Sequence, residues 1–244
     1  MIAKAQPCAP SGRLGHPAPT APALALIVLV LSAIPAIAHG VAGGDAAFLE
    51  TAHGVQFWPY LYLGAKHMFT GYDHLLFLLG VIFFLYRLRD VAIYVTMFSI
   101  GHSITLLFGV LSGLRLDAHI IDAIIGFSVI YKAFDNLGGF RKLLGYSPNQ
   151  KLVVLVFGLI HGFGLATKLQ DLSLSADGLV PNMIAFNIGV ELGQLVALAF
   201  ILTVLQLWRS TPGFTRQAAA INVLIMAAGF ALVQMQLVGF WSTP

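Results

Sequence analysis

Charged side chains are scarce: they make up 9% of the 244 residues, against about 25% in an ordinary soluble domain. That excludes a solvated globular surface. Cysteine is scarcer still, with Cys8 alone. An internal disulfide and a multi-thiolate metal centre are therefore excluded. There is no C-x-x-C-H run for covalent haem attachment, no H-E-x-x-H for a helical zinc hydrolase site and no ATP-binding motif. Long linkers, low-complexity tracts and tandem repeats are missing too, so one compact domain is expected. The pI of 9.1 is no nucleic-acid signal in such a chain, because basic residues between apolar runs mainly set membrane orientation.

What is abundant is apolar. Hydrophobic residues make up 58% of the chain, and mean hydropathy is +0.87. Several apolar runs reach about 17 residues or more, enough to cross a hydrocarbon core of about 30 Å. The expected fold is all-α, a polytopic helical membrane protein embedded in a lipid bilayer. Residues 1–38 read as a cleaved secretory signal peptide. They hold a weakly basic start (Lys4, Arg13), the apolar core "ALALIVLVLSAIP" and the A-x-A site Ala36–Ala38. Cleavage there makes His39 the mature N-terminus and removes Cys8. Residues 39–244 then read as a single domain of six transmembrane helices, at roughly 65–88, 91–113, 117–136, 151–169, 181–208 and 216–241. "FWPYLYLG" ahead of the first span carries boundary aromatics.

Loop charge orients this arrangement. With the mature N-terminus outside, inner loops hold Arg87, Arg89, Arg141, Lys142, Lys151, Arg209 and Arg216, and the outer side holds Lys66, Arg115 and Lys168. This positive-inside bias predicts a multi-pass protein of a bacterial inner membrane with both mature termini periplasmic.

Ionisable groups inside spans cost a few kcal/mol or more, so they face a cavity or one another. Five spans carry such groups: His67, Asp73 and His74; His102; Asp122; His161; and Glu191 with Asn187 and Gln194. At about 1.5 Å rise per residue, His102 and Glu191 lie about 15 Å from the outer ends of their spans, His161 about 10 Å, and Asp122 somewhat less. Asp73 and His74 fall at a similar level. His67 and His74 share a face if their helix is continuous, and Asn187, Glu191 and Gln194 form an i, i+4, i+7 stripe. Gly158 with Gly162, and Gly189 with Gly193, have the GxxxG spacing of closely packed helices. Lys132 and Asp135 read as a structural ion pair near the inner end. Imidazoles and carboxylates gathered at one depth, without thiolate, suit a divalent transition metal that must leave again. Asp122 and Glu191 are further able to orient the ring N–H of a ligand histidine.

"GAKHMFTGYDHLLFLL", "FSIGHSITL", "DAIIGFSVIYKAFDN", "FGLIHGFGLA" and "FNIGVELGQL" together resemble the successive motifs of the HupE/UreJ family, over about residues 60–208. The resemblance implies a secondary transporter for nickel or cobalt that serves metalloenzymes such as hydrogenase and urease. It implies that His67, Asp73 and His74 form the His-Asp-His signature, with His102, His161 and Glu191 as the deeper metal ligands. Asp122 stands where the family pattern leads one to expect a glutamate. On this reading the metal ion is the transported substrate, no organic cofactor takes part, and the protein is not an enzyme. Capture begins at His67, Asp73 and His74, aided by a mature N-terminal His39, whose amine and imidazole make a chelate. Asn187 and Gln194 are further candidates for the metal's surroundings. Two other classes stay open: a haem or electron-transfer protein with axial ligands among His74, His102 and His161, and an intramembrane metalloenzyme with Glu191 as base.

Overall fold

The computed structural model describes residues 43–172 and 174–242. The signal-peptide expectation and His39 lie outside the described residues. The described chain is helical: α1 (Gly43–Thr51), α2 (Phe57–Thr70), α3 (Tyr72–Ile82), α4 (Leu88–Ser112), α5 (Ala118–Asn136), α6 (Gly139–Leu144), α7 (Gln150–Gln170), α8 (Leu179–Arg209) and α9 (Phe214–Ser242). Four of these, α4, α7, α8 and α9, are long and apolar enough to cross a membrane. The 19-residue α5 carries Asp122, Lys132 and Asp135 within its length. Large apolar side chains such as Ile104, Phe108, Leu195, Phe200 and Phe230 stay exposed along α4, α8 and α9. Water would penalise such faces and hydrocarbon would not. These features describe a multi-pass membrane protein.

The first span departs from expectation. It is not one helix over 65–88: α2 begins earlier, at Phe57, and the chain breaks at Gly71 before α3 runs to Ile82. The "FWPYLYLG" segment therefore forms the first two turns of α2. Gly71 sits at φ −79°, ψ 86°, outside the α region. A Cβ there would lie 2.8 Å from the His74 ring and 3.3 Å from the Asp73 carboxylate, so the break is sterically tied to the pair that follows it. The connection expected over 137–150 also differs, since it contains α6 and ends where α7 begins at Gln150.

Glycines join the helices in pairs. A Cβ at Gly64 would run into the backbone of Phe186 on α8, and one at Gly189 into that of Leu61 on α2. On α7, Gly158 lies against Phe98 and Gly162 against the His102 carbonyl and the Thr105 hydroxyl of α4. Gly126 of α5 and Gly229 of α9 meet in the same way. In the absence of a hydrophobic driving force between helices in lipid, such close backbone approach supplies the van der Waals energy of association. Three two-helix units result, α2–α8, α4–α7 and α5–α9. The short α3 runs between them and buries Leu76, Phe77, Leu79 and Ile82. Its C-terminal carbonyls are taken up by Arg209 of α8, whose guanidinium donates to the oxygens of Ile82, Phe83 and Leu85 at 2.6, 2.7 and 2.9 Å. Those are orphan acceptors that a helix end must otherwise hand to water.

Candidate metal centre

The break at Gly71 starts a fresh helix with Asp73 in its first turn, where the exposed N–H groups and the helix dipole favour a carboxylate. One oxygen of Asp73 accepts the backbone N–H of His74 at 2.7 Å and the ring Nδ1–H of the same residue at 2.8 Å. A carboxylate already accepting a backbone N–H acts as an acceptor toward the ring as well. That places the His74 proton on Nδ1 and the lone pair on Nε2. Both residues are buried, Asp73 to 4% and His74 to 3% exposure. The His74 Nε2 makes no hydrogen bond among the described residues. An orphaned lone pair in a dry site is costly, and a metal ion is one partner that would satisfy it.

His74 is the hub of an imidazole cluster. Its ring centroid lies 5.2 Å from that of His67, 5.8 Å from that of His102 and 5.0 Å from that of His161. These rings come from four helices, α2, α3, α4 and α7. One ligand nitrogen each of His67, His74 and His102 falls within a 4.8 Å span. His161 stands beside this trio rather than in it. Its Nδ1 donates to the carbonyl of Phe157 at 2.7 Å, which fixes the lone pair on Nε2 by the same logic. Such a bond from the other ring nitrogen is what commonly orients a metal-binding histidine. His102 is held by its backbone: Gly162 allows α7 to reach the His102 carbonyl, and the Thr105 hydroxyl ties α4 to the Leu159 carbonyl at 2.6 Å. Both ring nitrogens of His102 are buried without a hydrogen-bond partner among the described residues.

Aromatic rings wall the cluster. Phe98 lies 5.0 Å from His161 and 6.2 Å from His74 and His102, and Phe77 lies 5.3 Å from His161. A narrow pocket opens beside His74, lined by Met68, Phe77, Phe98 and Gln194 among others. Nitrogen donors in an apolar, water-poor wall suit nickel, cobalt, zinc, copper or iron better than calcium or magnesium.

The other expected residues lie elsewhere. Glu191 is exposed and lines a groove of about 440 Å³ between α4 and α8, with Thr96, Ser99 and Gln194. Its carboxylate is not among the clustered ligand atoms. Gln194 is buried, faces both that groove and the His74 pocket, and accepts the Ser99 hydroxyl at 3.0 Å. Asn187 donates to the Met183 carbonyl one turn back at 3.1 Å. Asp122 pairs with Lys168 at 2.8 Å and is not among the clustered ligand atoms. Sequence reasoning did not single out Gly71, Phe77 or Phe98. For Gly71 a signal existed: a glycine followed at two residues by Asp, inside an apolar run, marks a break and a new helix start. For the two phenylalanines nothing separates them from ordinary core residues.

Neither a search of curated proteins nor one of solved structures returns a match. A family model does: the one described as HupE / UreJ protein matches residues 44–243. That stretch contains every residue of the imidazole cluster together with Asp73 and Glu191, and on it the chain belongs to the HupE/UreJ family.

Proposed function

We propose that this protein is a secondary transporter for a divalent transition metal, with nickel or cobalt as substrate, working through a site made by His67, His74, His102 and His161. The family is linked to nickel and cobalt transport. The observation that carries the reading is the convergence of ligand nitrogens from His67, His74 and His102 within 4.8 Å inside an apolar bundle. The adjoining pocket is narrow and lined mostly by apolar side chains, with His74 and Gln194 as its polar members besides Tyr94.

The chemistry follows from the residues. An arriving dication loses water stepwise as imidazoles replace it. Asp73 holds His74 with Nε2 forward and offsets part of the metal's charge. The site carries one clustered carboxylate against a dication, so the metal is held without full neutralisation. Protons and metal compete for the same lone pairs, so protonation assists release. Glu191 lies beyond Gln194, and its role is that of a neighbouring charge along the path rather than a partner to the trio. Uptake runs from the periplasm inward in this scheme, across the bacterial inner membrane, and supplies metal for hydrogenase or urease maturation. Purified protein in proteoliposomes, offered nickel, cobalt, zinc, iron, copper and manganese separately, tests it. Saturable uptake of nickel or cobalt that is lost in His102→Ala supports the reading, and no uptake of any metal at normal insertion overturns it.

A further inference from the structure

Two turns along α3 from His74, a second space opens at the far end of the bundle. This open cavity is lined by Val81, Lys132, Asp135, Arg141, Ser147 and Gln150, with four other residues. Val81 also lines the His74 pocket, so the two spaces meet at one side chain. Val81 and His74 are seven residues apart on one helix, which at 1.5 Å per residue is about 10 Å. Within the cavity the Lys132 ammonium donates to Asp135 at 2.7 Å and to the Gln150 amide oxygen at 3.3 Å. The other Asp135 oxygen accepts the Ser147 hydroxyl at 3.0 Å. The lysine stem lies over Gly80, where a Cβ would sit 3.2 Å from its Cγ. Glycine there gives the stem its lane. The side chains of Lys132 and Asp135 are only 9% and 13% exposed.

The ammonium thus sits on oxygens from two helices, Asp135 of α5 and Gln150 of α7, while Ser147 of the segment between them holds the other oxygen of Asp135. Carboxylate, amide and hydroxyl oxygens are also the ligands of a hard or partly hydrated dication. We propose that Asp135, Gln150 and Ser147 form a second, oxygen-only cation site, which the Lys132 ammonium occupies at rest and a divalent cation takes in its place. The lysine is a point charge on a flexible four-carbon stem, so it can leave without unfolding the helix that bears it. Arg141 on the same wall adds positive charge, and only one carboxylate opposes it. A dication is therefore held there weakly and briefly, as release requires and storage does not. Oxygen donors bind nickel or cobalt less tightly than imidazoles do, so the step from the histidines to this site leads toward water. The assignment of this site as the last station rests on the transport reading; the existence of the site does not.

Manganese, which favours oxygen ligands, is the probe. Its binding to purified, detergent-solubilised protein is read from loss of the free-ion electron paramagnetic resonance signal. Lys132→Met is expected to bind one manganese ion at least about tenfold more tightly than wild type, a gain of about 1.4 kcal/mol. The gain should vanish in Lys132→Met with Asp135→Asn and be absent in Lys132→Arg, which keeps the tethered cation. Wild-type affinity in a helical, monodisperse Lys132→Met protein overturns the proposal, as does a gain that survives Asp135→Asn. If Lys132→Met does not insert, the wild-type protein carries the test through its own amine. Saturating manganese should raise acylation of Lys132 several-fold by freeing it from Asp135, and unchanged labelling overturns the proposal. Absence of uptake of any metal by correctly inserted wild-type protein would sink the transport reading while leaving the manganese result intact, so the two failures are distinguishable.

Discussion

A single oxygen of Asp73 receives both the backbone N–H and the ring Nδ1–H of His74, at 2.7 and 2.8 Å. The two residues are adjacent in sequence, yet the contact depends on the helix restarting after Gly71. In a helix running straight through, the Asp73 N–H and its neighbours would be committed to the preceding turn, and no first-turn position would exist to stabilise the carboxylate. The pair acts as one unit that aims Nε2 of His74 at the other imidazoles.

Asp73→Asn keeps the size and one acceptor of the aspartate but loses its charge. A carboxylate favours an arriving dication and makes the imidazole it holds a better donor. The half-saturation concentration for metal uptake should rise, by roughly 10–100-fold if the usual cost of removing a histidine's carboxylate partner applies, with normal abundance in the membrane. The defect should deepen as pH falls, because protons compete for the same nitrogen. Uptake per inserted molecule, measured at several pH values, checks this; an unchanged half-saturation refutes it.

His102→Ala and Glu191→Gln should separate. The first removes one of the three clustered donors. The second alters a carboxylate that lies in the adjoining groove. Equilibrium binding of nickel or cobalt to detergent-solubilised protein should be lost in His102→Ala and retained in Glu191→Gln. Equal loss in both would mean that Glu191 closes onto the cluster when metal arrives.

Gly162→Val tests the packing that places His102. The added atoms meet the His102 carbonyl and the Thr105 hydroxyl, and overpacking of this kind costs about 1–3 kcal/mol. Thermal unfolding in detergent should fall by several degrees and metal affinity should drop with it. Gly113→Ala is the control, since no atom lies within 4 Å of a Cβ there. Its φ of +67° adds local strain at the end of α4, but no clash with α7, so affinity should hold.

Arg209→Lys should be a poor replacement. The guanidinium reaches three carbonyls at the end of α3, a fork that a single ammonium does not reproduce. Leaving one or two of these acceptors bare costs about 1–3 kcal/mol each where they are buried. The expected outcome is lower stability with an unaltered half-saturation for the protein that folds. A change in half-saturation without loss of stability would contradict this.

Hydropathy alone determined the all-helical, membrane-embedded class, because the free energy of burying a long apolar run in lipid depends on composition and length and little on neighbours. It also marked out His74, His102 and His161, since an imidazole in an apolar run needs a partner whatever the fold. What it could not determine was which polar groups face one another. His67 and His74 were expected on one face of a continuous helix; they meet across a break, with rings 5.2 Å apart, because Gly71 lets two short helices turn independently. The stripe Asn187, Glu191, Gln194 shows the same limit. At 3.6 residues per turn Glu191 and Gln194 point only about 60° apart, close enough to count as one face by periodicity. The α2–α8 contact at Gly189 and Gly193 sets the rotation of α8, and the edge of the buried surface then falls between them, leaving Gln194 inside and Glu191 out. Helix rotation is decided by the packing of two surfaces against each other, and one strand of sequence holds only one of them.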